Sequence, residues 1–248
     1  MSKAEVAARV TGLYLYPVKS MRGVAVSSLG AWWYGFDGDR KHAFVRSGNP
    51  TGFPWLTARQ LPEMLLYQPY FVDPAEPLQS AVRVQTPAGA DYALSDPALS
   101  AELAAGYGQP IHLMQLSRGT FDCMPASIMS EATVAAISGA TGQPLTSSRF
   151  RPNIVVATEA GGAAPEDAWL GERLVFGDRP DSPQIQAAYR TERCAMINLD
   201  PDSAARDGTI LRAVGQERDS CAGIYGAIHT LGTIQIGDTV RLVRDEFR

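Results

Sequence analysis

Short β-prone segments, each closed by a Gly- or Pro-containing turn, follow one another along this chain, and that punctuation leaves little room for a long helix. Residues 10–18 form the first segment. Residues 24–34 follow, closed by Gly35-Phe36-Asp37-Gly38-Asp39, and residues 41–46 alternate as a third, running into Ser47-Gly48-Asn49-Pro50. Residues 64–72, 81–85, 91–94 and 111–116 continue the pattern. In the second half, strands are expected at 153–157, 173–176, 194–198, 224–229 and 239–243. Helix signals are few. Asp96 reads as an N-cap with Pro97 at the first helical position, leading to about residue 105 before Gly106. Ser130 caps a helix over 131–138 with Gly139 at its end, and a short helix is expected over 210–215. With 23 Gly and 17 Pro, this fits a barrel or sandwich better than a helical bundle. The expected fold is mostly β, in two connected barrel-like units with a few short helices. The units are expected at 9–118 and 119–245, with the boundary near Gly119.

Charge and cysteine content narrow the function classes. Lys plus Arg number 22 against 26 Asp plus Glu, a formal charge of −4, so broad nucleic-acid binding lacks its basic surface, although a local cationic pocket stays open. Cys123, Cys194 and Cys221 are too few and too scattered for a disulfide framework or a two-pair zinc site, and they fit a reducing compartment. No apolar run approaches the ~20 residues of a membrane helix, and MSKAEVAARVTGLYLYPV lacks a signal-peptide layout. A cytoplasmic protein acting without membrane or nucleic acid is the expectation.

Two groups of residues can carry chemistry. Cys194 stands beside Arg193, just after a long polar stretch and at the start of an expected strand. A neighbouring guanidinium favours thiolate, the nucleophile and metal ligand, whereas the plainer reading of a free cysteine is a small buried hydrophobe. The second group is a set of cations at strand ends: Lys19 and Arg22 after Tyr16-Pro17-Val18, Arg40 after Asp39, and Arg149 and Arg151 around Phe150. Such cations can converge on a phosphate, or each can be surface charge in its own salt bridge, as Asp39 suggests for Arg40. His42, His112 and His229 are too dispersed for a histidine metal site, and the nucleophile-elbow, dinucleotide and P-loop motifs are absent. Glu166-Asp167 before Trp169 reads as a turn into a strand rather than an acid/base pair.

Taken in order, these segments resemble one family. Tyr16-Pro17-Val18-Lys19-Ser20 with Arg22-Gly23, then Gly38-Asp39-Arg40, then Thr57-Ala58-Arg59-Gln60 with Pro62, resemble the MOSC N-terminal β-barrel domain. Ser130-Glu131-Ala132, Phe150-Arg151-Pro152-Asn153-Ile154-Val155-Val156, Glu166-Asp167-Ala168-Trp169, Arg193-Cys194 with Asp200-Pro201-Asp202, and Ile234-Gln235-Ile236-Gly237-Asp238 resemble the MOSC domain itself. The resemblance extends over about residues 9–243. It implies a molybdenum–pterin cofactor (molybdopterin), with Cys194 as metal ligand and catalytic residue. Lys19, Ser20 and Arg40 match cofactor contacts in the first unit, and Arg151, Asn153 and Arg193 match contacts in the second.

The chain departs from that pattern at Asp122-Cys123-Met124. Amidoxime-reducing members have a Thr-Ser pair after the Asp, so contacts from Cys123 and Met124 would have to use backbone N–H groups. Met21 and Thr191 stand where some relatives have Cys, leaving Cys194 as the match to the ligand motif. The sequence has no room for the pyridoxal-phosphate (PLP) domain of a cofactor sulfurase. It also has no Cys cluster for an iron–sulfur centre. The resemblance therefore implies an oxidoreductase for N-hydroxylated or N-oxide small molecules, fed by a separate electron-donor protein. The alternative it leaves open is a cofactor or sulfur carrier, with Cys194 as persulfide acceptor.

Overall fold

The computed structural model describes residues 6–49 and 51–243. Pro50, at the end of one expected turn, and residues 244 and 245, at the end of the expected second unit, lie outside the described residues. The first half contains β1 (Val6–Leu15), β2 (Val24–Ala25), β3 (Ser28–Trp32), β4 (Gly35–Phe36), β5 (His42–Arg46), β6 (Gln68–Phe71), β7 (Val82–Gln85), β8 (Asp91–Ala93), α1 (Pro97–Tyr107) and β9 (Ile111–Gln115). The second half contains β10 (Ala126–Ser130), α2 (Glu131–Thr141), β11 (Ile154–Thr158), β12 (Arg173–Phe176), β13 (Gln184–Glu192), α3 (Thr209–Arg218), β14 (Cys221–Thr230), β15 (Gly232–Gln235) and β16 (Thr239–Val243). The fold is mostly β with three α-helices, as the sequence implies. Among the described residues, no helix is long and apolar enough to cross a membrane.

Seven strands close into a barrel in the order β11-β10-β14-β13-β12-β16-β1, with β1 pairing back onto β11. Only β10 and β11 run parallel within it, because helix α2 carries the chain across between them. Alternate residues point inward. Val10, Ile128, Val156, Leu174, Phe176, Ile185, Ile224 and Val240 are all buried in one continuous core. That core extends into the first half through Phe44, Leu56, Met64, Val84 and Leu99. There β5–β9 and β6–β7–β8 form two small antiparallel sheets, and β15 from the second half joins β3 and β4. A separate apolar cluster, including Val134, Ile137, Phe150, Ile210 and Val214, packs α2 and α3 against the outside of the barrel.

Several elements differ from their expected bounds, each for a physical reason. The expected strand over 194–198 is a 3₁₀ turn, Ala195–Asn198, with Cys194 at its N-cap. The strand lies just before it, as β13, where the sequence reads as a polar stretch. Three register shifts against β14 break the two-residue period of β13 and hide it. The expected strand over 24–34 divides into β2, which pairs with β1, and β3, which pairs with β15. Residues 62–66 form a 3₁₀ turn opened by Pro62, so β6 starts only at Gln68. Helices α1 and α2 run past Gly106 and Gly139 and end at the next glycines, Gly108 and Gly142, each in the left-handed conformation. Helix α3 likewise continues through Gly215 to Arg218.

Both expected N-caps are in place. Asp96 Oδ1 accepts from the Ala98 amide at 2.9 Å, and Ser130 Oγ accepts from the Thr133 amide at 3.0 Å. Glu166, fully buried, completes the second cap. Its carboxylate accepts from the Ser130 amide at 3.1 Å, from Ser130 Oγ at 2.6 Å and from Thr133 Oγ1 at 2.6 Å. A carboxylate is favoured there by the positive end of the α2 dipole. Glu166→Gln turns one of these acceptors into a donor. It should lower unfolding free energy by about 1–3 kcal/mol, read as a shifted urea midpoint at unchanged slope.

Candidate functional site

Strand β1 leaves the barrel at Leu15, and the chain then zips onto the segment before β5. The Tyr16 amide donates to Asp39 Oδ1 at 2.8 Å, the Arg40 amide to the Tyr16 carbonyl at 2.7 Å, and the Lys19 amide to the His42 carbonyl at 2.8 Å. From the second half, the 3₁₀ turn Ser147–Phe150 delivers Arg149 and Arg151. The end of β13 delivers Arg193 and Cys194. Ser20, Arg40 and Arg151 have φ of 68°, 49° and 54°, a region non-glycine residues seldom occupy. Each such residue costs on the order of 1–3 kcal/mol and persists only where its surroundings fix it. All three line the same cavity.

That cavity has a volume of about 690 Å³ and is open to solvent. Of the sequence-predicted residues, it brings together Lys19, Ser20, Arg40, Asp122, Arg151, Arg193 and Cys194. The Cys194 thiol is exposed rather than entombed among aliphatic side chains. Asn153 lies beneath the lining. It accepts from Arg40 Nη1 and the Ser127 amide, both at 3.3 Å, and donates to the Tyr14 carbonyl at 3.2 Å. Cys123 and Met124 are off the lining, and Cys123 Sγ sits 2.8 Å from the Tyr189 hydroxyl.

The cations differ in how they are held. Arg40 pairs with buried Asp39 and donates to the Arg151 carbonyl at 3.1 Å. Burial, the largest single influence, would lower its pKa, but Asp39 together with Tyr16 and Tyr225 turns the net shift upward. Lys19 donates to the Thr120 carbonyl and Asp122 Oδ1, both at 2.8 Å. Burial still holds its pKa below the usual lysine value. No carboxylate among the described residues pairs with Arg151 or Arg193. Their guanidiniums donate to the Met21, Phe150 and Ala222 carbonyls. Burial draws the Arg151 pKa down to about 10 and lowers that of Arg193. Behind them, Tyr16 lies with its ring centroid 4.5 Å from the Arg40 guanidinium and 4.3 Å from that of Arg151. Burial pushes the pKa of its hydroxyl up to about 12, so the ring stays neutral.

Partly buried cations without a paired carboxylate gain when an anion arrives. Two further atoms on the lining, Ser127 Oγ and Arg149 Nε, are buried without a hydrogen-bond partner. Polar atoms in that state are rare, and both belong to residues that line the cavity. An exposed thiol on the same lining suits a soft metal centre. The donor set therefore fits a phosphate-bearing group carrying a thiophilic metal. Gly223, at φ 75°, lets β14 pack closely behind Arg193: a Cβ there would lie 2.7 Å from the Ile128 carbonyl and 3.3 Å from Arg193 Nη2.

Sequence reasoning missed Tyr16 as a support and Arg46, Phe53, Ser127 and Tyr225 as lining. Arg149 is visible as one of the strand-end cations, and Arg59 only as part of the Thr57-Ala58-Arg59-Gln60 segment, without a role. Tyr225 sits inside a strand pattern that carries no signal of a site, and Ser127 lies in β10, for which the sequence gives no strand signal.

Residues 109–241 match the MOSC domain, and residues 7–118 match the MOSC N-terminal beta barrel domain. Mitochondrial amidoxime reducing component 2 of Bos taurus is 27% identical over 132 residues, covering 48% of this chain and 37% of the relative. Mitochondrial amidoxime-reducing component 1 of Homo sapiens is 27% identical over 135 residues, covering 49% and 38%. The matches thus span little more than a third of these relatives. Among solved structures, the YUAD protein from Bacillus subtilis superposes with a TM-score of 0.52 at 15% identity, covering 95% of each chain, a likeness of fold alone.

Asp39 neutralises Arg40 and caps the Tyr16 amide, with its side chain fully buried. Asp39→Ala leaves a buried guanidinium unpaired and should destabilise the protein by about 3–5 kcal/mol. Calorimetry should then show a fall in Tm on the order of 10 °C.

Proposed function

This chain belongs to the MOSC domain family, with a MOSC N-terminal beta barrel domain preceding the MOSC domain, and on that premise we propose that it is a molybdenum-cofactor-dependent reductase of N-hydroxylated or N-oxide compounds. The observation that carries the reading is one cavity combining the exposed Cys194 thiol with the counter-ion-free guanidiniums of Arg151 and Arg193. The amidoxime-reducing names of the relatives supply the substrate class.

When bound, the molybdenum–pterin group supplies a two-electron redox centre. Cys194 is its protein ligand. Lys19, Ser20, Arg40, Arg151 and Arg193 hold its phosphate and pterin edge, and Asn153 fixes Arg40 from below. Asp122 acts through Lys19, whereas Cys123 and Met124, which the structure keeps off the cavity lining, take no part. The net reaction breaks the substrate N–O bond with two electrons and two protons, yielding water and the reduced nitrogen compound. The electrons come from a separate redox protein. We place the division between the two family domains at 118/119 and the protein in the cytoplasm, where its three free cysteines would remain reduced.

Protein purified from a molybdenum-replete host should carry molybdenum in stoichiometric amount by elemental analysis. After reduction with dithionite it should convert benzamidoxime to benzamidine. Cys194→Ser, a change at an exposed side chain, should melt where the cofactor-free unmodified protein does, remove most of the metal and lower turnover more than about 100-fold. Unchanged metal content in that variant overturns the reading. A sulfur atom transferable from Cys194 without turnover would instead identify a carrier.

A further inference from the structure

The cavity has a second cationic wall that the cofactor assignment does not use. It is built on the segment between β5 and residue 62. Arg46, at the end of β5, donates from Nη2 to the Phe53 carbonyl at 2.7 Å, and Thr51 Oγ1 donates to the same oxygen at 3.2 Å. The Leu56 amide donates to the Phe44 carbonyl at 2.8 Å, so the segment is pinned to β5 at both ends. The Phe53 ring lies 5.2 Å from the Arg59 guanidinium carbon and 5.7 Å from Lys19 Nζ. Arg59 and Phe53 therefore stand on the side of the cavity nearest the cofactor-holding lysine.

Arg59 is exposed at the cavity edge, and besides the Phe53 ring its side chain makes one weak hydrogen bond among the described residues, from Nε to Thr57 Oγ1 at 3.5 Å. No carboxylate among the described residues pairs with Arg59 or Arg46. A guanidinium stacked on an aromatic face has its position restrained while its in-plane N–H edge stays free to take an oxyanion bidentately. Cys194 lines the same cavity, together with Phe150, Met196 and Tyr225, which provide apolar surface for an organic body.

The geometry points to an oxyanion subsite formed by Arg59 on Phe53, with Arg46 behind it. The preferred substrates are then N-hydroxylated compounds that also bear a carboxylate or phosphate. This inference rests on the reductase reading for its reaction but not for its binding step.

The test compares benzamidoxime with 4-carboxybenzamidoxime and with the 4-phosphate ester of hydroxybenzamidoxime. Dithionite serves as reductant, so that docking of a donor protein does not enter. The anionic compounds should have a KM about tenfold lower than the neutral one, at similar kcat. Arg59→Gln should shrink that gap to within about twofold, and Arg59→Lys, a point charge without the planar fork, should keep part of it. Calorimetric titration of the purified, oxidised protein should give the same ratios as dissociation constants. A larger gap for the phosphate assigns a dianion, and a larger gap for the carboxylate assigns a monoanion. Equal KM and equal affinity across the three compounds in the unmodified protein, or a gap unchanged in Arg59→Gln, overturns the subsite. If none of the three is reduced yet the anionic ones bind in an Arg59-dependent way, the reductase reading falls and the subsite stands.

Discussion

The buried carboxylate of Asp39 holds two things at once: the Tyr16 amide, where the first barrel strand gives way to the site, and the Arg40 guanidinium. Arg40 in turn reaches Asn153 and the Arg151 carbonyl, which belong to the second half of the chain. One charge thus ties a barrel strand, the approach to β5 and the turn before β11 into a single unit. Removing it from water is tolerable only because both oxygens are occupied. The arrangement fixes the cations before any ligand arrives, so little ordering cost remains for binding.

Much of the fold was readable where local chemistry and tertiary structure agree. The caps at Asp96 and Ser130 form as their side chains require. Strand β12 lies where its period-two pattern puts it. Strand β13 was invisible because its bulges rotate the side chains out of a regular alternation, and its outward face is polar. This also misplaced Cys194, which tops a 3₁₀ turn instead of opening a strand. The choice between successive glycines as helix ends could not be made from sequence, since a helix tolerates an internal glycine when packing continues.

The site was legible as a set of residue types and only partly as an arrangement. Cations beside turn residues did converge, and three of the lining residues owe their direction to left-handed backbone. What the sequence could not show is which of those cations keep a carboxylate. Arg40 and Arg149 are paired with Asp39 and Asp200, and Lys19 with Asp122, whereas Arg151 and Arg193 are satisfied by carbonyls alone. That distinction depends on how separate segments of the chain pack together, as where Arg151 meets the Met21 carbonyl. So does the contact of Cys123 with Tyr189, which turns the thiol away from the lining.

Barrel closure pairs Val6 with Arg241 and Arg9 with Thr239. During synthesis, the earliest of these strands therefore waits for the latest before its second edge is covered. At ~5–20 residues per second, that interval is roughly ten to fifty seconds. Throughout it, the nascent polypeptide presents an unmatched edge as it emerges from the ribosome. Such an edge is a template for pairing with other chains, and trigger-type chaperones have reason to shield it.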